Sequence, residues 1–218
     1  DSLTAVKHLV FEDGSVSAED LEEHLRSDFR NDERLRLRLV NRAPKYGNGD
    51  EAADGMLRWV AEGFTREVKK RRDHWGSEYA AGAWSIRLAM LLGLTVGALP
   101  NGRRSGETLT EGIRPSSVCD RDGPTSCIRR VAGIDHRLFQ NGSVFNMNFT
   151  PGLLEGNASR RKFRELIWTF FAMGGFQMQF NLVGASVLRE AQAYPERYRD
   201  LIVRVAGYCS YFVDESPQ

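Results

Sequence analysis

Cysteine is scarce in this sequence: Cys119, Cys127 and Cys209 are the 3 in 218 residues. An odd number without a paired metal spacing argues against a disulfide framework and for reduced thiols, as in the cytoplasm. An excess of either charge is also lacking, with 30 Lys and Arg against 29 Asp and Glu, so the electrostatics call for no nucleic acid and no anionic membrane. The longest apolar run lies around residues 88–100, is broken by glycines, and falls short of the roughly 20 residues a bilayer crossing needs. No His-Glu-x-x-His, Cys-x-x-Cys or phosphate-loop pattern occurs, and His8, His24, His74 and His136 stand far apart. No metal site is therefore expected. The first residues carry neither an initiator Met nor signal-peptide features, which points to a processed chain or a piece of a longer one.

What the sequence does have is material for an ordinary core, 41% hydrophobic against 27% charged. Its first third reads as helices. Ser17-Ala18-Glu19-Asp20 opens like a capped helix with Leu21, Leu25 and Phe29 at helical spacing. A second helix is expected over 32–40 and a longer one from about 50 to 72, with Met56, Val60, Phe64 and Val68 on one stripe. The cationic run at 66–72 suits the C-terminal end of that helix, solvated, better than a binding patch.

Beyond residue 83 the period changes to 2. Trp84, Ile86, Leu88 and Met90 fall on one face of a strand expected over 83–90, with Ser85, Arg87 and Ala89 on the other. Residues 144–149 alternate likewise, as do 176–182, where Phe176, Met178, Phe180 and Leu182 oppose Gln177, Gln179 and Asn181. Helices are expected over 160–173 and 185–193, ahead of a fourth strand at 201–206. The implied object is an α/β sheet or barrel. The stretches 99–106 and 120–125 are dense in turn-formers and read as loops. Asp135-His136 invites a dyad, but adjacent side chains usually point apart, which favours a structural hydrogen bond.

The C-terminal end holds a β-branched strand that runs into a single glycine, Gly207, followed by aromatics. Arg204-Val205-Ala206-Gly207-Tyr208 with Phe212 resembles the radical loop of the glycyl radical enzymes, the pyruvate formate-lyase and radical dehydratase superfamily. Six further segments resemble that family's C-terminal region in its usual order: residues 1–7, 42–48, 97–103, 122–125, 146–149 and 177–181. The resemblance implies the C-terminal part of a ten-stranded α/β barrel. In sequence terms 1–82 would be a mainly helical segment, 83–199 barrel strands and connecting loops, and 200–218 the radical loop region.

The resemblance also implies chemistry: a glycyl radical stored on Gly207 and passed to a cysteine whose thiyl radical attacks a small organic substrate. A backbone radical needs a flattened Cα, which a Cβ would crowd, so glycine is the residue for it. Because such a radical reacts with oxygen, burial is expected, with Val203, Val205, Tyr208, Tyr211 and Phe212 as an apolar jacket. The activating partner would be a radical S-adenosylmethionine enzyme with an iron–sulfur cluster. The thiyl-forming cysteine lies upstream in the family and has no match here: Cys119 and Cys127 lack its context. Cys209 reads as a packed small thiol.

A partner or remainder bearing that cysteine is therefore expected, and the complete enzyme admits a homo-oligomer. The chain would be a separate or cleaved subunit, an excised fragment, or a radical-bearing repair part; its start inside a family motif favours a split or cut larger enzyme. Bond cleavage of the dehydratase or lyase type, at C–O, C–N, C–S or C–C, is the expected reaction, with radical addition or decarboxylation as alternatives. Arg87, Asn146 and Gln177 are candidate substrate-binding residues. A salt bridge within the protein explains Arg87 as well as an anionic substrate does, and an internal hydrogen-bond network explains the amides.

Overall fold

The computed structural model describes residues 1–84, 89–116, 123–205 and 208–214, with the backbone alone for Val205 and Tyr208. Helix α1 (Ser2–Val6) runs into a wider π-helical turn, Lys7–Glu12, that the period analysis did not anticipate. The next three helices begin at side-chain caps. Ser17 Oγ accepts from Asp20 N at 3.0 Å to open α2 (Ala18–Arg26). Asp32 accepts from Leu35 N at 2.8 Å to open α3 (Glu33–Asn41), and Asp50 accepts from Ala52 N at 3.0 Å to open α4 (Glu51–Lys69). Each cap satisfies a donor that the first turn leaves without an intrahelical partner.

Leu9, Leu21, Phe29, Leu35 and Leu39 bury one another in an N-terminal core. A second core forms around α6 (Gly123–Ala132), β1 (Asn146–Asn148) and α7 (Gly156–Ala172), where Ile128, Val131, Phe145, Met147 and Phe170 pack together. Helix α5 (Ala89–Thr95) follows α4 and precedes α6 in the chain. Strand β2 (Gln179–Asn181) follows α7 and pairs with β1 in parallel, so β1, α7 and β2 make a crossover unit of the kind parallel pairing requires. Helix α8 (Ala185–Ala193) then leads to a hairpin of β3 (Ile202–Val205) and β4 (Tyr208–Tyr211).

Several expectations change. The strand read over 83–90 is not what the described part of that stretch shows: Ala83 makes one isolated parallel bridge to Ser143, and Ala89 and Met90 open α5. A short apolar run satisfies both periods, and at Ala89 and Met90 the helix wins. Residues 85–88, Arg87 among them, lie outside the described residues. Gly123, Pro124 and Thr125, read as loop, form the first turn of α6, where a proline's missing N–H costs nothing.

Half of the stripe expected to bury α4 is turned outward, while Met56 and Val68 are half-buried. Val60 is 40% and Phe64 53% exposed, whereas Ala53, Asp54, Ala61 and Thr65 face inward. Met56, Val60 and Phe64 line a cavity of about 510 Å³ with Tyr46, Leu57 and Phe139. An apolar stripe reports that a face is coverable, without saying by what.

Two of the family-like segments hold buried cations. Lys45 Nζ donates to the Leu39 carbonyl at 2.6 Å and to that of Asn101 at 3.3 Å. Arg103 lies inside the 93–107 region and donates to the carbonyls of Gly93 at 2.7 Å, Gly97 at 3.0 Å and Val96 at 3.3 Å, and to that of Glu107. In these segments the resemblance is carried by residues that hold loops in place.

Candidate functional site

The site is a polar face and a hairpin set against it. Period-2 alternation puts Asn146 and Asn148 of β1, with Gln179 and Asn181 of β2, on one face, while Met147 and Phe180 point to the aromatic core on the other. The parallel register sets Asn146 beside Gln179 and Asn148 beside Asn181. Gln177, just ahead of β2, accepts from Phe145 N at 2.9 Å and donates to Gln179 Oε1 at 3.2 Å. Two buried amide atoms of this face, Asn146 Oδ1 and Gln179 Nε2, have no hydrogen-bond partner among the described residues.

The hairpin meets this face at Arg204. Asn181 Oδ1 accepts from Arg204 N at 2.8 Å, and Asn181 Nδ2 donates to Arg204 O at 2.9 Å and to Asn148 Oδ1 at 3.2 Å. The Arg204 guanidinium donates from Nε to Gln179 Oε1 at 3.0 Å and from an Nη to Cys209 Sγ at 3.4 Å. Strands β2 and β3 nonetheless belong to separate two-stranded sheets. The hairpin register pairs Val205 with Tyr208, so in sequence only Ala206 and Gly207 separate the paired residues; both lie outside the described residues.

Of the residues singled out from sequence, Arg204, Gln177 and Asn146 are thus brought to one face, through Gln179. Phe212 is half-buried at the start of a short 3-10 turn, and its N–H donates to Leu201 O at 2.8 Å. The expected apolar jacket is partial within this chain: Val203 is half-buried and Tyr211 is 50% exposed. Cys209, read as a packed thiol, is exposed, opposite Arg204 in the hairpin register and with its Sγ accepting from that guanidinium. Cys127 is buried in α6, and Cys119 lies outside the described residues.

His136 forms no dyad with Asp135. It bonds Ser143 Oγ through Nδ1 at 2.8 Å and the Val131 carbonyl through Nε2 at 2.9 Å, while Asp135 pairs with Arg137. Among the described residues no group of three or more His, Cys, Asp and Glu is placed to hold a metal ion. The role of Asn181 was missed from sequence. The signal was its place on the polar side of the period-2 pattern, which says which way a side chain points but not what stands opposite.

An α/β barrel fragment carrying this hairpin defines a class, and the chain belongs to the glycyl radical enzyme family. A family described as "Pyruvate formate lyase-like" matches residues 1–93 and one described as "Glycine radical" matches residues 109–213. The Escherichia coli K12 protein "Probable dehydratase YbiW" is 37% identical over all of this chain, which spans 28% of its length. The trans-4-hydroxy-L-proline dehydratase of Clostridioides difficile is 35% identical over 97% of this chain and 27% of its own. The glycerol-bound B12-independent glycerol dehydratase of Clostridium butyricum superposes with a TM-score of 0.95 at 38% identity, over 99% of this chain and 27% of the other. The chain therefore spans about a quarter of the relatives it matches, as the C-terminal portion read from sequence would. The glycine radical match indicates a glycyl radical as cofactor.

Proposed function

We propose that this chain is the radical-bearing portion of a glycyl radical enzyme of the dehydratase or lyase type, with Gly207 as the residue that carries the radical. The observation that carries the reading is the hairpin: the one glycine of the β-branched C-terminal stretch falls, in sequence, between Val205 and Tyr208, which are paired strand residues, inside the segment matched by the glycine radical family. The fit is chemical as well as positional. Neither Ala206 nor Gly207 brings a bulky side chain to the connection, and a backbone-centred radical requires a residue free of a Cβ.

The radical, once present, supplies one-electron chemistry that closed-shell side chains do not. This chain's own residues place the hairpin. Gln179 and Asn181 orient Arg204 through side-chain and main-chain contacts, Gln177 holds Gln179, and Asn146 and Gln179 offer amide atoms to the same interior. The thiol that receives the radical, the activating radical S-adenosylmethionine enzyme and the cover over Tyr211 and Cys209 would come from outside this chain. The substrate would be a small organic molecule that loses a leaving group from carbon, with Arg87 a candidate for an anionic group on it.

Electron paramagnetic resonance after anaerobic activation tests the reading. A doublet from the remaining α-hydrogen is expected and should vanish in Gly207→Ala. Turnover is expected only when a cysteine-bearing polypeptide completes the chain. A doublet that survives Gly207→Ala would remove the assignment, and a doublet without turnover in the completed protein would leave a radical-carrying module that is not an enzyme.

A further inference from the structure

The attachment of the hairpin to the β1–β2 sheet is made by side chains where a backbone ladder would be expected. An edge strand beside another strand ordinarily presents its N–H and C=O groups for pairing. At Arg204 both groups are taken by a single amide, that of Asn181, at 2.8 and 2.9 Å. The amide reproduces the donor–acceptor pair of a strand residue, so Arg204 is satisfied as it would be in a ladder.

We infer that Asn181 is a positioning residue, a side-chain latch that holds the glycine-bearing hairpin against the sheet and whose release would free the hairpin as a unit. This rests on the reading of Gly207 given above. Three features support it. The amide's orientation is specified, because Asn148 Oδ1 accepts the second Nδ2 proton at 3.2 Å; an inverted amide would set oxygen against oxygen at both Asn148 and the Arg204 carbonyl. The Arg204 side chain adds one tie to the same strand, at Gln179. And β2 and β3 share no sheet among the described residues, so releasing the Asn181 amide leaves the β3–β4 ladder whole, with Val205 still paired to Tyr208. A hairpin bound by a continuous ladder would have to unzip strand from strand; one bound by an amide departs intact. Local opening of such a weakly tied unit is far less costly than global unfolding.

The test is amide hydrogen exchange across residues 202–211 in the complete, unactivated enzyme, which needs no radical. Asn181→Leu should speed exchange there about tenfold, the order expected for losing two net hydrogen bonds, with α6 amides unchanged. Asn148→Ala should speed it less, and Asn148→Asp, which keeps an acceptor for Nδ2, should return it to the wild-type rate. That rescue separates a latch from a general loss of packing, and the Asn148 pair decides the question if Asn181→Leu also loosens α6. Hairpin exchange within twofold of wild type in both Asn181→Leu and Asn148→Ala overturns the latch. In activated enzyme the radical doublet should form faster and decay sooner in Asn181→Leu. A wild-type enzyme that shows this exchange pattern but yields no doublet upholds the latch and sinks the Gly207 reading alone.

Discussion

The guanidinium of Arg103 lies 2.7 Å from the carbonyl oxygen of Gly93 and 3.0 Å from that of Gly97, 7% exposed and among carbonyls rather than carboxylates. Its fork geometry lets one side chain close α5 onto the loop that follows it. Arg103→Met keeps the bulk and leaves those carbonyls without a donor, so a loss of about 2–4 kcal/mol is expected. Urea denaturation of the wild type and the variant measures it. Arg103→Lys should recover less than half, since one ammonium cannot span the fork.

Glycine is required at some turns and only convenient at others. At Gly47, with φ +96°, an added Cβ would stand 2.3 Å from Pro115 Cγ. At Gly106, with φ +83°, it would meet nothing within 4 Å. Gly106→Ala should therefore cost about 1–2 kcal/mol, the backbone penalty alone, and Gly47→Ala distinctly more. Equal unfolding midpoints for the two variants would contradict this account.

His136 is held neutral. Burial pushes its imidazole below the ordinary 6.5, against smaller opposing effects from the Val131 carbonyl and Asp135. Because the unfolded chain takes up the proton first, stability is fully present above about pH 6.5 and declines as pH falls from there toward the lowered folded value. Unfolding midpoints between pH 7.5 and 5.5 should drop more in wild type than in His136→Gln. Parallel profiles would show that the ring titrates as in water.

Asp54 shows the opposite sign. Burial raises its carboxyl above the ordinary 3.8, and Arg130 at 2.9 Å pulls it back down. A raised folded value means stability is fullest below pH 3.8 and is lost as pH rises through that value. Arg130→Met removes the opposing cation, so the loss on raising pH from 4 to 7 should steepen, with about 1–3 kcal/mol less stability at neutral pH for a buried carboxylate whose partner is a third exposed. Adding Asp54→Asn should flatten the profile. A profile unchanged by Arg130→Met would show that the pair is screened.

Where one local signal had one structural outcome, the sequence was legible. Ser17 caps the helix that follows it, helices were read within a residue or two of α3 and at the start of α4, and the alternation at 144–149 and 176–182 became β1 and β2 with the polar side as read. The glycine between the hairpin strands and the family-like segments were also visible in one dimension. Where two outcomes share a signal, the reading failed: the apolar run at 83–90 ends in helix α5, and half of the stripe on α4 is left open.

The amino-acid order alone therefore determined the family, the glycine suited to a backbone radical and the polar side of the β1–β2 sheet, because these depend on residue type and short-range period. Only the tertiary structure decided that Asn181 faces Arg204, that Arg103 lies among four carbonyls, and that His136 turns to Ser143 instead of Asp135. Those pairings join residues from different elements, and spacing along the chain carries no record of which elements come to lie side by side.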